Sequence, residues 1–444
     1  MNLTYGQLLK SNRNFRNLLW GQFVAEMGNW FNFIAGLGLV RLVSDASPTA
    51  AGLLFACRIL PFAVFSPIAG TFVDRFSRRK VMIWADLTRA VIALAFLLVT
   101  SAGDLWIAYL AMAALSAFGA FFEGAKNASM PNLTGKEGLL AGTALIFSTR
   151  FLLMAIGSAL GGFAAAFFGY KVAFIINAIT FAVSAFSVWL IDEKATREQV
   201  KRSDAAEAVA ANGISETPQR ASFLTELKEG FEYTVKNHFA LTILLMNIIW
   251  ATGGGAVNVI FERMGGVVFA ARESMSPDLA VALLWTAGGF GLFLGMIIAH
   301  RTEAVLDRRN SHFSFIGWSL ILHGVIFALG GYMPFLWLFM IFVFVSRALI
   351  GVEYAVQETL FQRSLPDYIR GRISTLDRGA EMLVFGASSY FSSAMMHYIL
   401  PETLTIVSGV LSASAGIVWF LRHRRNRSSF KAEAQGREIA VAAK

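Results

Sequence analysis

Ionisable side chains inside long apolar runs are the residues of this sequence whose type and position could do chemistry. Glu26 lies within the apolar run 17–43, close to Gln22, Asn29 and Trp30. An ionisable group at membrane depth is costly, so it usually faces a cavity, a partner or water. Side chains three or four residues apart share one face of a helix, so we expect this group to line a wet face. Glu26 is therefore predicted to exchange a proton between two states of the protein.

Three arginines lie at comparable depth in other apolar runs: Arg58, Arg150 and Arg347. A buried cation must either face a cavity or pair with a buried anion. The first alternative places these arginines with Gln22, Asn29 and Trp30 in a substrate cavity. The second makes them structural, for instance as a static ion pair of Glu26 with Arg58 or Arg150.

A second set of charges lies near the predicted cytoplasmic ends of the apolar runs. Charges at such positions favour salt bridges between the two halves of the protein over a role in binding. We predict such a charge network from Asp86, Arg89, Glu123, Lys126, Asp377, Arg378 and Glu381.

Sequence patterns of enzymes, metal sites and nucleotide sites are missing. The six histidines are scattered, without the spacing of metal ligands. No G-x-x-x-x-G-K-[ST] loop occurs, so ATP is not the expected energy source. We therefore predict no enzymatic activity, no cofactor and no metal. The run Gly253–Gly255 lies in an apolar stretch, and we expect it to break or bend a helix there.

The composition places these residues in a membrane protein. The chain has 444 residues, of which 56% are hydrophobic and 15% charged, whereas about a quarter of a soluble domain is charged. Its net charge of +9 sits in short basic clusters between apolar runs, which is typical of cytoplasmic loops and argues against nucleic-acid binding. Runs of about 20 apolar residues predict transmembrane helices. Twelve such runs cover 17–43, 49–73, 81–102, 105–127, 139–167, 171–191, 239–261, 279–300, 311–331, 335–361, 373–397 and 403–421.

The loops predict orientation and domains. Basic clusters such as Arg13–Arg16 and Arg422–Arg427 fall on one side of twelve spans, so both termini are predicted to be cytoplasmic. A polar stretch between the sixth and seventh spans indicates a linker, followed by apolar residues at helical spacing that predict an amphipathic interfacial helix. The predicted division is a six-helix bundle over 1–192, a linker over 193–237, a second bundle over 238–421 and a basic tail over 422–444.

The loop after the second span carries the most specific motif. It reads Gly70-Thr-Phe-Val-Asp74-Arg75-Phe-Ser-Arg78-Arg79-Lys80. A glycine permits close helix approach, an aspartate can meet a helix N-terminus or a basic partner, and the basic cluster holds the loop in the cytoplasm. The segment closely resembles the G-x-x-x-D-R-x-x-R-R-K loop of the major facilitator superfamily. The resemblance implies a conformational latch made by Gly70, Asp74, Arg75, Arg78, Arg79 and Lys80; the alternative is an orientation signal alone.

A glycine motif in the fifth span points the same way. Gly157-Ser-Ala-Leu-Gly161-Gly162 resembles the G-P-x-x-G-G signature of efflux antiporters in that superfamily, with Ser158 in place of the proline. Gly157 and Gly161 form a small-xxx-small face for tight helix packing. Generic packing is the alternative to a functional signature.

Four further segments resemble the branch of the superfamily that contains enterobactin exporters and macrolide efflux proteins. They are residues 14–16, 86–90, 121–131 and 359–372. The resemblance implies two pseudo-symmetric six-helix bundles that alternate access to a central site.

The sequence therefore favours a secondary active transporter, expected to act as a proton-coupled efflux pump for a small amphiphilic molecule such as a drug or siderophore. Sodium is the other coupling ion considered. A lysophospholipid flippase or a nutrient importer of the same fold is the alternative, and a receptor or enzyme is disfavoured because such a protein has no need of the Gly70–Lys80 loop. We expect a monomer in a bacterial cytoplasmic (inner) membrane.

Overall fold

The computed structural model describes residues 5–73, 75–196, 223–309 and 311–422, and the regular secondary structure of this part of the chain is entirely helical. Asp74, most of the predicted linker and the predicted tail from 423 onward lie outside the described residues. The first six helices are α1 Tyr5–Ser11, α2 Arg13–Val43, α3 Pro48–Val73, α4 Arg78–Ala93, α5 Leu105–Phe168 and α6 Tyr170–Trp189. The others are α7 Phe223–Lys236, α8 His238–Arg263, α9 Pro277–Arg309, α10 His312–Gly330, α11 Leu336–Ser364, α12 Asp367–Met395 and α13 Pro401–Leu421.

Eleven stretches in the described residues are long and apolar enough to cross a membrane. Two of them come from α5, which is interrupted at Gly135 (φ 70°, ψ 170°). An interruption there suits glycine because a positive φ strains other residues. The predicted all-α, multi-span architecture is confirmed.

The predicted span 373–397 coincides with α12, which is absent from those eleven stretches. Its 29 residues are long enough, since about 20 residues cross a bilayer. Asp377, Arg378 and Glu381 make it too polar by composition. A span that carries such charges must turn them away from lipid, so α12 is where a polar site is expected.

The chain divides into two compact units. The first contains residues 1–44 and 60–221, and the second contains 45–59 and 222–444. The division differs from the predicted domains at 45–59, the start of α3, which clusters with the second unit. Helix α7 also belongs to the second unit, where Glu229 pairs with Arg372 of α12.

The glycine triplet of α8 serves packing. Helix α8 runs without interruption through Gly253–Gly255, so these glycines do not break it, and the alternative of a bend stays a prediction. A Cβ at Gly253 would lie 2.4 Å from Ser412 Oγ, and one at Gly255 would lie 2.3 Å from the Phe385 carbonyl oxygen. The irregular turn comes later, where Met264–Phe269 is π-helical.

Close helix packing in the second unit predicts a large difference between two glycine substitutions. A Cβ at Gly409 would lie 2.4 Å from the Gly324 carbonyl oxygen and 2.6 Å from the Ala328 amide nitrogen. Both are backbone atoms, so α10 and α13 would have to separate. We expect Gly409→Ala to destabilise the protein by about 1–3 kcal/mol, measured as a lower thermal midpoint in detergent. A Cβ at Gly379 meets nothing within 4 Å, so Gly379→Ala is the control and should leave the midpoint unchanged. Equal midpoints for both variants would contradict this account.

Candidate coupling site

The predicted proton carrier is half-buried in α2. Asn29 Nδ2 donates a hydrogen bond to Glu26 Oε2 at 3.3 Å, and Gln22 is buried with its Oε1 lacking a partner among the described residues. Arg150 is exposed and makes no ion pair with Glu26. The alternative of a static Glu26–Arg150 pair is therefore wrong, whereas the proposed proton exchange stays a prediction.

The glycine motif of α5 packs against α2 next to this group. A Cβ at Gly157 would lie 2.8 Å from Trp30 Cβ, and one at Gly161 would lie 3.0 Å from Phe31 Cα. Gly162 is buried as well. Ser158 Oγ, in the place of the signature proline, donates to the carbonyl of the preceding turn at 2.6 Å. This interaction is compatible with a continuous helix. The glycines thus position Trp30 beside the Glu26 face.

The arginines of the predicted latch loop bind to backbone carbonyls of their own unit. Arg78 Nη1 donates to the Ala128 oxygen at 2.9 Å, and Arg79 donates to the Trp189 oxygen. Arg75 and Lys80 are exposed. A Cβ at Gly70 would meet nothing within 4 Å, so close helix approach does not explain this glycine. Asp74 lies outside the described residues, and the latch stays a prediction.

Two of the arginines proposed for the cavity lie in the second unit. Arg58 is half-buried, whereas Arg347 is buried beside the rings of Phe261 and Phe327, with centroids 6.0 and 5.9 Å away. The described residues contain no ion pair of Arg347, and both rings lie within cation–π range of its guanidinium. The preceding residue, Ser346, lies 2.7 Å from Nδ1 of the buried His323.

The described ion pairs in the first half of the predicted charge network lie within single helices, and the interdomain network stays a prediction. Asp86 pairs with Arg89 three residues later on α4, and both are buried. Lys126 pairs with Glu123 on α5 at 2.6 Å. Both pairs have the i, i+3 spacing of neighbours on one helix. They neutralise charge inside the first unit.

A connected polar cluster occupies the second unit. Gln357 of α11 donates to Asn247 of α8 at 2.9 Å, and Asn247 donates in turn to Asp377 of α12 at 2.8 Å. Next to Asp377, Arg378 pairs with Glu358 of α11 at 3.1 Å. The cluster joins α8 to the consecutive helices α11 and α12, about a hundred residues later, so the part that α8 contributes could not be read from local sequence.

Glu353 is the most isolated carboxyl of this cluster. Its side chain is 1% exposed, and its Oε1 is buried without a hydrogen-bond partner in the described residues. The neighbouring charge that acts most on it is the carboxylate of Glu381, which is repulsive. Asp377 is also buried, with an Oδ1 that lacks a partner. The four carboxyls of the cluster are Glu353, Glu358, Asp377 and Glu381, and Arg378 is the cation close to the last three.

This arrangement favours the uptake of positive charge. An ionised carboxylate buried without a counter-charge costs several kcal/mol. A proton, or a cation delivered to the cluster, removes that cost. The sequence signal for Glu353 is a glutamate about two turns inside the predicted span 335–361.

The tryptophans in apolar runs divide between interior and surface. Trp285 is buried, with its ring edge-on to Phe261 at 5.3 Å. Trp250 is half-buried and lies 6.0 Å from the Phe385 ring. Trp318 is 57% exposed, which favours a lipid-facing position over a cavity.

Residues 18–376 match the Major Facilitator Superfamily, and the chain belongs to this family of transporters. It is a multi-pass secondary transporter and not an enzyme.

Named relatives are distant but cover almost the whole chain. The MFS-type transporter YfiS of Bacillus subtilis is 24% identical over 422 residues, or 93% of either chain. "Putative bacilysin exporter BacE" of the same species is 23% identical, over 89% of this chain and 91% of the relative. Macrolide efflux protein A of Streptococcus pyogenes is 22% identical, over 87% of this chain and 90% of the relative.

Solved structures support the same fold. The nucleoside transporter NupG aligns with a TM-score of 0.71 at 13% identity, covering 92% of this chain and 99% of NupG. A bacterial homologue of ferroportin aligns with a TM-score of 0.60 at 16% identity, covering 92% of this chain and 98% of that one.

Proposed function

We propose that this transporter is a proton-coupled efflux pump for a small amphiphilic molecule, which works by alternating access of its two six-helix bundles. The basic loop clusters support a bacterial cytoplasmic membrane with both termini inside. A monomer provides both bundles.

The observation that supports proton coupling is the buried Glu353, which has no hydrogen-bond partner for Oε1 among the described residues and whose charged neighbour is Glu381. A carboxyl of this kind gains most from binding a proton, and it loses that gain when a conformational change exposes it to water. Glu26 stays a second coupling candidate. Glu353 is preferred because Glu26 is less buried and already accepts a hydrogen bond from Asn29.

The relatives support export of the cargo. Two of those described above are named for bacilysin export and macrolide efflux. The excess of carboxyls over cations in the cluster further suits a cargo with an amine. A siderophore cargo rests on the sequence resemblance to enterobactin exporters alone.

The experiment is a flux assay in proteoliposomes with the purified protein. A macrolide and an amphiphilic dye cation serve as probes, and a pH gradient is imposed in either direction. We expect uphill movement of a probe against the proton flux, and its abolition by a protonophore. A sodium gradient of the same size should give no movement.

The same vesicles separate the alternatives. Movement of a lysophospholipid between leaflets, with no movement of either probe, would favour the flippase. Movement of substrate in the direction of the proton flux would favour the importer. Substrate flux that depends on neither the proton gradient nor the sodium gradient would contradict ion coupling.

A further inference from the structure

An acidic and histidine cluster at the ends of three helices in the second unit lies apart from the carboxyl cluster. Glu303 and Asp307 stand on one face of the last turns of α9, His312 begins α10, and Arg363 lies near the end of α11. His312 Nε2 lies 3.4 Å from Glu303 Oε1 and 3.4 Å from Asp307 Oδ1. One atom from each of these three residues lies within 4.8 Å of the others.

The histidine is the independent sign of a ligand. His312 is only 8% exposed and its Nε2 is buried, yet this nitrogen makes no hydrogen bond among the described residues. Both carboxylate oxygens of Glu303 are likewise buried without a hydrogen bond in that part of the chain. Buried polar atoms normally have hydrogen-bond partners. Glu303 Oε1 already faces the Arg363 guanidinium at 3.2 Å, so the unbonded His312 Nε2 and Glu303 Oε2 are the atoms that indicate a missing ligand.

The distances suit a metal ion better than direct hydrogen bonds. A good N–H···O bond measures about 2.9–3.0 Å, shorter than the observed 3.4 Å. Ligands held 2.0–2.1 Å from a tetrahedral zinc lie about 3.3–3.4 Å apart. One imidazole nitrogen and two carboxylate oxygens also match the ligands that zinc and its neighbours prefer.

Arg363 supplies the competing cation. Its Nη1 lies 3.2 Å from Glu303 Oε1 and 3.5 Å from Asp307 Oδ1, the two oxygens that the metal would use. The side chain is 53% exposed and long, so its guanidinium can leave the cluster without disturbing the core.

We propose that Glu303, Asp307 and His312 form a binding site for a divalent transition metal, with zinc as the best-fitting ion, and that metal and Arg363 compete for it. A bound metal would join the end of α9 to the start of α10 and displace the Arg363 guanidinium from Glu303 and Asp307. The spacing of the histidines alone predicted no metal site. Glu303, Asp307 and His312 nevertheless form an E-x-x-x-D-x-x-x-x-H pattern in the sequence.

Zinc titration of the untagged, full-length protein in detergent tests this site by calorimetry. We expect about one equivalent of zinc, with affinity reduced about tenfold or more in His312→Ala and Glu303→Gln. Arg363→Ala should tighten binding because it removes the competitor. His397→Ala, which alters an exposed histidine elsewhere in the unit, is the matched control and should bind as the parent does.

Two results would overturn the site: no stoichiometric zinc in the parent protein, or equal binding by the parent and both ligand variants. Weaker binding in Arg363→Ala would also contradict it, because Arg363 would then support the site instead of competing. If His312→Ala fails to fold, Glu303→Gln and Asp307→Asn still decide the question. None of these measurements depends on transport, so the proposed efflux activity is tested separately.

Discussion

Glu353→Gln is expected to abolish uphill transport while downhill exchange of substrate survives. Glutamine has the shape of the protonated acid but cannot release a proton. The transporter can therefore still alternate between its two states as if a proton were bound, whereas substrate movement is no longer coupled to proton movement. We expect proton-driven accumulation in proteoliposomes to fall by at least about tenfold. Exchange of labelled against unlabelled substrate, without any gradient, should proceed at close to the parent rate.

The stability of the same variant separates a functional carboxyl from a structural one. Glu353 makes no ion pair or hydrogen bond among the described residues. Removing its charge therefore breaks no contact, and the thermal midpoint should stay equal or rise. A fall in the midpoint together with lost exchange would indicate a structural role.

Glu26→Gln is the matched comparison, because it makes the same change in the first unit. If Glu26→Gln loses uphill transport and Glu353→Gln pumps normally with unchanged dependence on the pH gradient, the proton carrier lies in α2. If each variant alone abolishes uphill transport, both carboxyls belong to the proton route. Normal pumping by both would remove these glutamates from the mechanism.

Much of the fold was predictable because a chain that crosses a lipid bilayer needs long apolar helices. Apolar runs of sufficient length located the helices, and the Gly70–Lys80 loop was specific enough to indicate the family. The interruption at Gly135 fell between two predicted spans. Helix α12 was also predicted, although three charges make it the least apolar of the predicted spans.

The errors came from contacts that depend on three-dimensional packing. The glycines of α8 predicted a break or bend in that helix. In the structure they allow Ser412 and Phe385 of two other helices to pack closely against α8. The carboxyl cluster of the second unit joins residues more than a hundred positions apart, such as Asn247 and Asp377. No local sequence pattern predicts such a contact. The pairs Asp86–Arg89 and Glu123–Lys126 could be read from their i, i+3 spacing; the interdomain network of these residues stays a prediction.

Arg89→Met is expected to be the most destabilising change in the first unit. Asp86 is fully buried, and Arg89 is its partner. Removing one member of a buried ion pair leaves an uncompensated charge and costs about 3–5 kcal/mol. We expect a large fall in the thermal midpoint in detergent and a smaller yield of folded protein. Lys228→Met is the control, since its pair with Glu232 at 3.9 Å is exposed and such pairs contribute about 0–1 kcal/mol.

The double variant Asp86→Asn, Arg89→Met identifies the cause of that loss. If the buried charge is responsible, neutralising Asp86 removes it, and the double variant should recover most of the midpoint. The guanidinium of Arg89 also lies over the rings of Phe122 and Phe181, 5.0 and 4.3 Å from their centroids. If these ring contacts dominate, the double variant will be as unstable as Arg89→Met alone. That outcome would reassign Arg89 from charge compensation to packing between α4, α5 and α6.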